Sequence, residues 1–196
     1  MPNATVEFYR KNSQSFTEST LNVDMSPLYQ RFLPNIPAGG HILDAGCGSG
    51  RDALHFKKVG FKVSAFDACP ELAAFASNLL GEKVQVKTFA ELSENQQYDG
   101  IWCCASLLHV KQEELPSAFQ NLTTALKSGG TLYVSFKYGD AERNAQGRHF
   151  TDLNESGLAE LVAKQQWLEV FEVWQTCDQR PGREHELWLN ALLKRR

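Results

Sequence analysis

The chain has 196 residues, with 20 Lys and Arg against 23 Asp and Glu, and its formal net charge is −3. That length suffices for one well-buried domain and is short for two. An apolar fraction of 42% and a charged fraction of 22% exclude a disordered or fibrous chain. The slightly acidic balance excludes a globally basic nucleic-acid binder. No apolar run approaches the ~20 residues that a membrane-spanning helix requires.

The first residues and the cysteines both indicate a reducing, cytoplasmic setting. Met-Pro-Asn-Ala-Thr-Val-Glu lacks the basic start and the apolar centre of a secretory signal. The five cysteines are an odd number, form no C-x-x-C pair and have no histidine cluster at zinc-ligand spacing. We therefore expect reduced thiols, no metal site and no membrane partner.

The polar, helix-favouring sequence of roughly the first 35 residues predicts a polar helical segment. Ser26 followed by Pro27 predicts the start of a second helix, which runs to about Phe32, because proline is favoured in the first turn. Prolines and glycines between residues 34 and 40 then break the chain.

From residue 41 onward, short apolar runs alternate with helical patterns. Predicted strands cover residues 41–45, 61–66, 84–88, 98–104 and 131–136, and predicted helices cover residues 51–59, 70–80, 113–127 and 155–166. Strands that alternate with helices through short loops predict a parallel sheet of βαβ units. Two further predicted strands, residues 168–175 and 185–193, have no helix between them, so this last pair should be antiparallel.

The most informative segment is residues 42–52, where a predicted strand ends, glycines follow and a helix begins. Gly46, Gly48 and Gly50 allow a tight turn and let a ligand approach the backbone. Free N–H groups at the start of the helix attract electron-rich groups. The same pattern suits a tight strand-to-helix connection without a ligand, so its context has to decide.

The acid at the end of the next predicted strand provides that context. Asp67 lies 17 residues after Gly50, close to the ~20-residue offset of a ribose-binding carboxylate. An acid at the start of a helix is the structural alternative. Nicotinamide or flavin dinucleotides and S-adenosylmethionine share this geometry. The dinucleotide fingerprint has a third glycine where this chain has Arg51, whereas S-adenosylmethionine carries no phosphate and needs no phosphate cradle.

Residues 42–52 resemble motif I of the class I S-adenosylmethionine-dependent methyltransferases, and the resemblance extends over residues 5–193. Residues 98–110 look like the fourth-strand motif, and residues 126–132 resemble the L-x-P-G-G-x-L turn, with Ser128 in place of proline. The chain is similar to small, single-domain bacterial members, among them relatives of the tellurite-resistance type. The resemblance implies an α/β fold, a Rossmann-like, doubly wound seven-stranded sheet, mostly parallel with one antiparallel strand.

The resemblance also implies which positions contact the cofactor, S-adenosyl-L-methionine. Asp67 matches the ribose-binding acid, and Ala68 follows where the backbone meets the adenine. Phe89 and Ala90 match the adenine contact after the third strand, and the carbonyl of Cys103 would accept a hydrogen bond from the cofactor's amino group. The expected cofactor-binding residues are Tyr9, Asp44, Gly46, Cys47, Gly48, Asp67, Ala68, Phe89, Ala90 and Cys103.

Methyl transfer requires a nucleophile held about 3 Å behind the methyl group in a pocket poor in water. His109 is the first expected catalytic residue, since it follows the fourth strand at the edge where open α/β folds bind ligands. Neutral imidazole accepts a proton near neutral pH. The alternative is a histidine that packs locally at the start of a helix.

Tyr9 is the second expected catalytic residue. An amino-terminal helix carrying Phe8, Tyr9 and Phe16 could fold over the cofactor as a lid, and tyrosine offers both a ring and a hydroxyl. The alternative is a surface helix that packs one aromatic face on the domain. We therefore treat residues 1–196 as one methyltransferase domain, with a helical lid segment at residues 1–36 and a Rossmann-like core at residues 37–196.

Four arginines are candidates for binding the substrate because they lie in two polar segments expected on the acceptor side. They are Arg143 and Arg148 in a predicted loop over residues 138–148, and Arg180 and Arg183 in the turn between the last two strands. Guanidinium groups can hold a carboxylate or phosphate through two hydrogen bonds. The alternative is solvated loop charge.

These features together predict an enzyme that transfers a methyl group to a small-molecule acceptor. The alternatives are a nucleic-acid or protein methyltransferase, a non-catalytic S-adenosylmethionine-binding module, and a nicotinamide-dependent oxidoreductase. The acidic net charge and the lack of an Asn-Pro-Pro-Tyr-like tetrapeptide after the fourth strand disfavour nucleic acid. A closed cavity lined by Tyr9 and His109 would favour a small acceptor, whereas a broad basic groove would favour a polymer.

Overall fold

The computed structural model describes residues 4–180 and 182–196. The α-helices within these residues are α1 (Ala4–Thr20), α2 (Ser26–Phe32), α3 (Arg51–Lys58), α4 (Pro70–Leu80), α5 (Leu115–Ala125) and α6 (Glu155–Ala163). The strands are β1 (His41–Ala45), β2 (Lys62–Asp67), β3 (Gln85–Val86), β4 (Tyr98–Cys103), β5 (Leu126–Lys137), β6 (Glu142–Ala145), β7 (Arg148–Thr151), β8 (Leu168–Cys177) and β9 (Leu187–Arg195). None of the described helices is both long and apolar enough to cross a bilayer.

Seven strands form one sheet in the order β3-β2-β1-β4-β5-β9-β8. β1 pairs in parallel with both β2 and β4, whereas β9 runs antiparallel to both β5 and β8. The predicted mostly parallel sheet with one antiparallel strand is confirmed. Because the strand order reverses between β1 and β4, the connections after these two strands lead to opposite sides and leave the crevice in which such sheets bind ligands.

Both faces of the sheet are covered, which is why β1 is buried along its whole length. On one face Trp102 stacks on Tyr133 with ring centroids 3.9 Å apart, and Phe32 of α2 packs 5.0 Å from Trp102. Phe32 is fully buried, so α2 is part of the core although it belongs to the predicted lid segment. The division into a lid and a core stays a prediction, and residues 1–3 of that segment lie outside the described residues.

The first helix lies over the carboxyl edge of the sheet and is held at both ends. The backbone N–H of His149 in β7 donates to the Thr5 hydroxyl over 2.9 Å. At the other end, the Arg51 guanidinium donates to the carbonyl of Thr20 over 3.1 Å. These bonds fix α1 between β7 and the start of α3.

The expectation of a polar loop at residues 138–148 is wrong in part, because β6 and β7 pair as an antiparallel hairpin. Gln146 and Gly147 form its turn with φ angles of 51° and 77°. Two positive φ angles define the turn type that joins short hairpins, and Asn-Gly or Asp-Gly is its usual sequence signal. Gln-Gly is a weak signal, which explains why the hairpin was missed.

Candidate active site

A cavity of about 1240 Å³ opens at the carboxyl edge of the sheet. It is larger than the ~300–1,000 Å³ of a site for one small molecule. The predicted site residues that line it are Tyr9, Gly46, Cys47, Gly48, Asp67, Ala68, Phe89, Ala90, His109, Arg143, Arg148, Arg180 and Arg183. Within the described part of the chain, no three His, Cys, Asp or Glu side chains are arranged to hold a metal ion.

The glycine turn after β1 is shaped so that side chains cannot occupy it. Gly46 and Gly48 have φ angles of 75° and 55°, in the left-handed region that favours glycine. A Cβ on Gly46 would lie 2.5 Å from the Cβ of Ser106, and one on Gly48 would lie 3.1 Å from the ring of Phe16. Glycine at these positions therefore lets Ser106 and Phe16 pack close to the turn, whose backbone lines the cavity.

Asp67, at the end of β2, is bound to the glycine turn. Its Oδ2 accepts the N–H of Gly48 and its Oδ1 accepts the N–H of Cys69, each over 2.8 Å. Burial raises the pKa of this carboxyl group, and the two N–H donors oppose that rise. Each oxygen keeps a further lone pair, so the carboxylate can also accept two ligand hydroxyls.

Two predicted cofactor residues, Asp44 and Cys103, do not line the cavity. Asp44 is buried, and its Oδ2 accepts the N–H of Ala53 in the first turn of α3 over 3.0 Å. Burial and the neighbouring Asp52 raise the pKa of Asp44 well above its usual range. Cys103 is fully buried in β4. Contact of either residue with a cofactor stays a prediction.

Asp52 is a cavity residue that the sequence analysis missed, and it gathers four donors. Arg51 donates to both of its oxygens, over 2.6 and 3.0 Å. Trp102 donates its indole N–H over 2.9 Å, and Tyr29 of α2 donates its hydroxyl over 2.5 Å. Burial opposes ionisation, yet Arg51 and the other donors hold the pKa of Asp52 below its usual value. An adjacent Arg-Asp pair at the start of a helix was the only local signal.

Tyr9 and His109, which are 100 positions apart, meet in the cavity. Nδ1 of His109 lies 2.7 Å from the carbonyl oxygen of His149, and Nε2 lies 2.9 Å from the Tyr9 hydroxyl. A carbonyl only accepts, so Nδ1 carries the proton and the hydroxyl donates to Nε2. Burial lowers the pKa of His109 to about 4, so the imidazole is neutral at physiological pH. Burial also raises the pKa of Tyr9.

The four predicted arginines all line the cavity, but the fold treats them differently. Three of them face carboxylates: Arg143 with Asp152, Arg180 with Asp178, and Arg183 with Glu186. The first two pairs are bidentate. The described residues place no carboxylate within ion-pair distance of Arg148. A broad basic groove is therefore not formed.

Comparison with known proteins identifies the family. A profile of the family described as "Methyltransferase domain" matches residues 17–176. An uncharacterized methyltransferase of Staphylococcus carnosus is 29% identical over 109 residues, which cover 56% of this chain and 53% of that protein. A ubiquinone biosynthesis O-methyltransferase of Xanthomonas axonopodis pv. citri is 34% identical over 107 residues, covering 50% and 44%. The chain thus spans about half the length of the curated relatives it matches.

Solved structures extend the similarity over nearly the whole chain. The 1,6-didemethyltoxoflavin-N1-methyltransferase of Burkholderia thailandensis has a TM-score of 0.77 at 21% identity, covering 97% of this chain and 84% of that one. A TehB-like S-adenosylmethionine-dependent methyltransferase of Corynebacterium glutamicum has a TM-score of 0.69 at 21% identity, covering 97% and 98%. Similarity at this level establishes the fold. Together with the family profile, it shows that this chain belongs to the class I S-adenosylmethionine-dependent methyltransferases, the family that its motifs resemble.

Proposed function

We propose that this protein transfers the methyl group of S-adenosylmethionine to a small molecule. The observation that carries the proposal is that one cavity is lined both by the glycine turn with Asp67 and by the Tyr9–His109 pair. Its volume of about 1240 Å³ has room for two small molecules together. A methyl donor and a small acceptor are such a pair.

The residues on the β1–β2 side of the cavity fit the adenosyl part of the cofactor. Gly46 and Gly48 line the cavity and have no side chains, so a ligand can contact their backbone closely. The remaining lone pairs of Asp67 would accept the ribose hydroxyls. Phe89 packs edge-on against Phe66 with centroids 5.4 Å apart and would lie against the adenine. When bound, S-adenosylmethionine supplies a methyl group on a positively charged sulfur.

The covering helix and the balanced charges favour a small acceptor over a polymer. α1 lies across the carboxyl edge and brings Tyr9 and Phe16 into the cavity, which excludes water from the reacting atoms. Three of the four arginines are neutralised in place, so little positive charge remains to attract a phosphate backbone. The Burkholderia thailandensis structure contains 1,6-didemethyltoxoflavin together with S-adenosylhomocysteine.

Tyr9 and His109 would hold the nucleophilic atom of the acceptor. Nε2 of the neutral His109 ring accepts the Tyr9 O–H, and the Tyr9 hydroxyl oxygen can still accept a hydrogen bond from the bound molecule. An imidazole whose pKa is about 4 is a weak base. It therefore suits an acceptor that is already ionised or loses its proton easily, and serves mainly to orient that atom.

Calorimetry and a labelled-methyl assay test the proposal. The protein is titrated in parallel with S-adenosylhomocysteine and with NAD⁺, and is then incubated with methyl-labelled S-adenosylmethionine and a cell extract. We expect binding of S-adenosylhomocysteine alone, and label in the low-mass fraction. Label in protein or nucleic acid would indicate a polymer acceptor. Binding without any labelled product would indicate a cofactor-binding module, and binding of NAD⁺ an oxidoreductase.

A further inference from the structure

Arg148 differs from the other three arginines predicted to bind the substrate because its charge is left uncompensated by the described residues. One of its terminal nitrogens donates to the side-chain oxygen of Gln146 over 2.8 Å, a neutral partner. Its Nε is buried and has no hydrogen-bond partner in the described structure. Because that nitrogen is shielded from solvent, a ligand in the cavity would have to accept hydrogen bonds from the terminal nitrogens.

Two aromatic rings hold the Arg148 guanidinium in place. It lies 4.4 Å from the ring centroid of Phe8 in α1 and 5.1 Å from that of Phe150 in β7. Stacking on rings orients the guanidinium plane but does not use its N–H donors. Arg143 also stacks on Phe150, at 4.7 Å, yet its donors are taken by Asp152. The fold therefore positions Arg148, and the partners of its terminal nitrogens among the described residues, the Gln146 amide and the Tyr9 hydroxyl, are neutral.

Arg148 lies beside the pair that would hold the acceptor. It precedes His149, whose carbonyl oxygen binds Nδ1 of His109. Its guanidinium is close enough to the Tyr9 hydroxyl to oppose the rise that burial causes in the pKa of Tyr9. The side chains of Arg148 and Tyr9 line the same cavity. Arg148 is thus on the acceptor side and not among the groups proposed to bind adenosine.

The uncompensated charge of Arg148 favours an anionic group on the acceptor. A partly buried cation is costly unless an anion pairs with it, and the bound methyl donor adds a second positive charge. We infer that Arg148 binds a carboxylate group of the methyl acceptor, which would be a small organic monoanion. One unpaired guanidinium matches a single negative charge, and its planar donors match the two oxygens of a carboxylate. This inference rests on the proposed function, because it names the substrate class of the same cavity.

The test compares carboxylates with neutral analogues of the same shape. The full chain, saturated with S-adenosylhomocysteine, is titrated with benzoate, benzamide, acetate, acetamide and inorganic phosphate. We expect a carboxylate to bind at least about tenfold more tightly than its amide, the scale of a charged hydrogen bond. Failure of both carboxylates to bind, equal binding of a carboxylate and its amide, or tighter binding of phosphate would overturn the inference. Because this comparison uses only the unaltered protein, misfolding of a variant cannot affect the result.

Variants then assign the effect to one residue. Arg148→Gln should weaken carboxylate binding at least about tenfold, and Arg148→Lys should retain part of it. Arg10→Gln is the charge-matched control, because Arg10 pairs with Glu7 on the exposed side of α1. Equal carboxylate affinity in Arg148→Gln and Arg10→Gln would overturn the assignment. If the unaltered protein does not bind S-adenosylhomocysteine, the proposed function itself is refuted. Failure of the Arg148 inference and failure of the proposed function therefore give different results.

Discussion

The Tyr9 hydroxyl donates a hydrogen bond of 2.9 Å to Nε2 of His109, and so connects the amino-terminal helix to the segment after β4. The other ring nitrogen of His109 donates to the carbonyl of His149 in the hairpin over 2.7 Å. One imidazole therefore joins three elements that are far apart in the chain. Each of them contributes to the wall of the cavity, so this histidine holds α1 against the other two parts of that wall.

Because Tyr9 and His109 are hydrogen-bonded to each other, their substitutions should not be additive. We expect Tyr9→Phe and His109→Gln each to lower kcat/KM at least about tenfold, with the double variant no worse than the poorer single one. The measurement is a double-mutant cycle on methyl transfer to the acceptor that the labelled-methyl assay identifies. Losses that multiply would show that the two residues act independently.

Asp67→Ala should weaken the binding of S-adenosylhomocysteine by roughly 1–3 kcal/mol, because a charged hydrogen-bond acceptor for the ribose is lost. Asp99→Asn is the matched control, since the Asp99 carboxylate also accepts a backbone N–H, that of His41 over 2.8 Å, but lies outside the cavity. Calorimetric titration of both variants measures the difference. Unchanged affinity in Asp67→Ala would remove this residue from the ribose site.

Gly46→Ala should destabilise the fold by more than about 2 kcal/mol, since left-handed strain adds to overpacking against Ser106. Gly81→Ala isolates the strain alone, because Gly81 has a φ of 67° with no atom within 4 Å of an added Cβ. We expect Gly81→Ala to cost about 1–2 kcal/mol and to bind S-adenosylhomocysteine normally. Urea unfolding and calorimetry give both quantities. Equal costs for the two variants would mean that the turn has room for a side chain.

The buried His109 should make stability depend on pH. Burial lowers its folded pKa to about 4, from the 6.5 of an ordinary histidine. Between these values the unfolded chain binds the extra proton, so this contribution is present above pH 6.5 and is lost as the pH falls towards 4. The free energy of unfolding should fall by an amount on the order of 3 kcal/mol over this pH range. Urea unfolding from pH 7.5 to 4.5 should show a flatter profile for His109→Gln, and identical profiles would contradict the low pKa.

Asp52→Asn should cost about 3–5 kcal/mol of stability, because it leaves the buried Arg51 without its counter-ion. Glu82→Gln breaks an ion pair with Lys57 on the surface and should cost less than about 1 kcal/mol. Urea unfolding compares the two. Similar small costs would mean that the Arg51–Asp52 pair is as well solvated as a surface pair.

Local sequence was enough to predict the parts of the fold and site that neighbouring residues form together. The turn at Gly46 and Gly48 requires positive φ angles, and the apolar runs on either side specify strands and a helix. The periodicity of the whole chain predicted the order of strands and helices, and the position of Asp67 after β2 followed from it. Contact of Asp44 and Cys103 with a cofactor stays a prediction.

The sequence by itself determined the backbone of the site, because glycine conformation, strand and helix periodicity and the spacing from turn to acid are local properties. Only the tertiary structure decided the partners of the polar side chains. It placed Tyr9 against His109, 100 positions away in the chain. It also brought the donors of Tyr29, Arg51 and Trp102 to Asp52. Finally, it paired Arg143 with Asp152, whereas Arg148 stacks on the ring of Phe8. A charged or polar side chain forms hydrogen bonds with whichever group the packing brings within about 3 Å. The number of residues between two positions in the chain does not determine whether their side chains come that close.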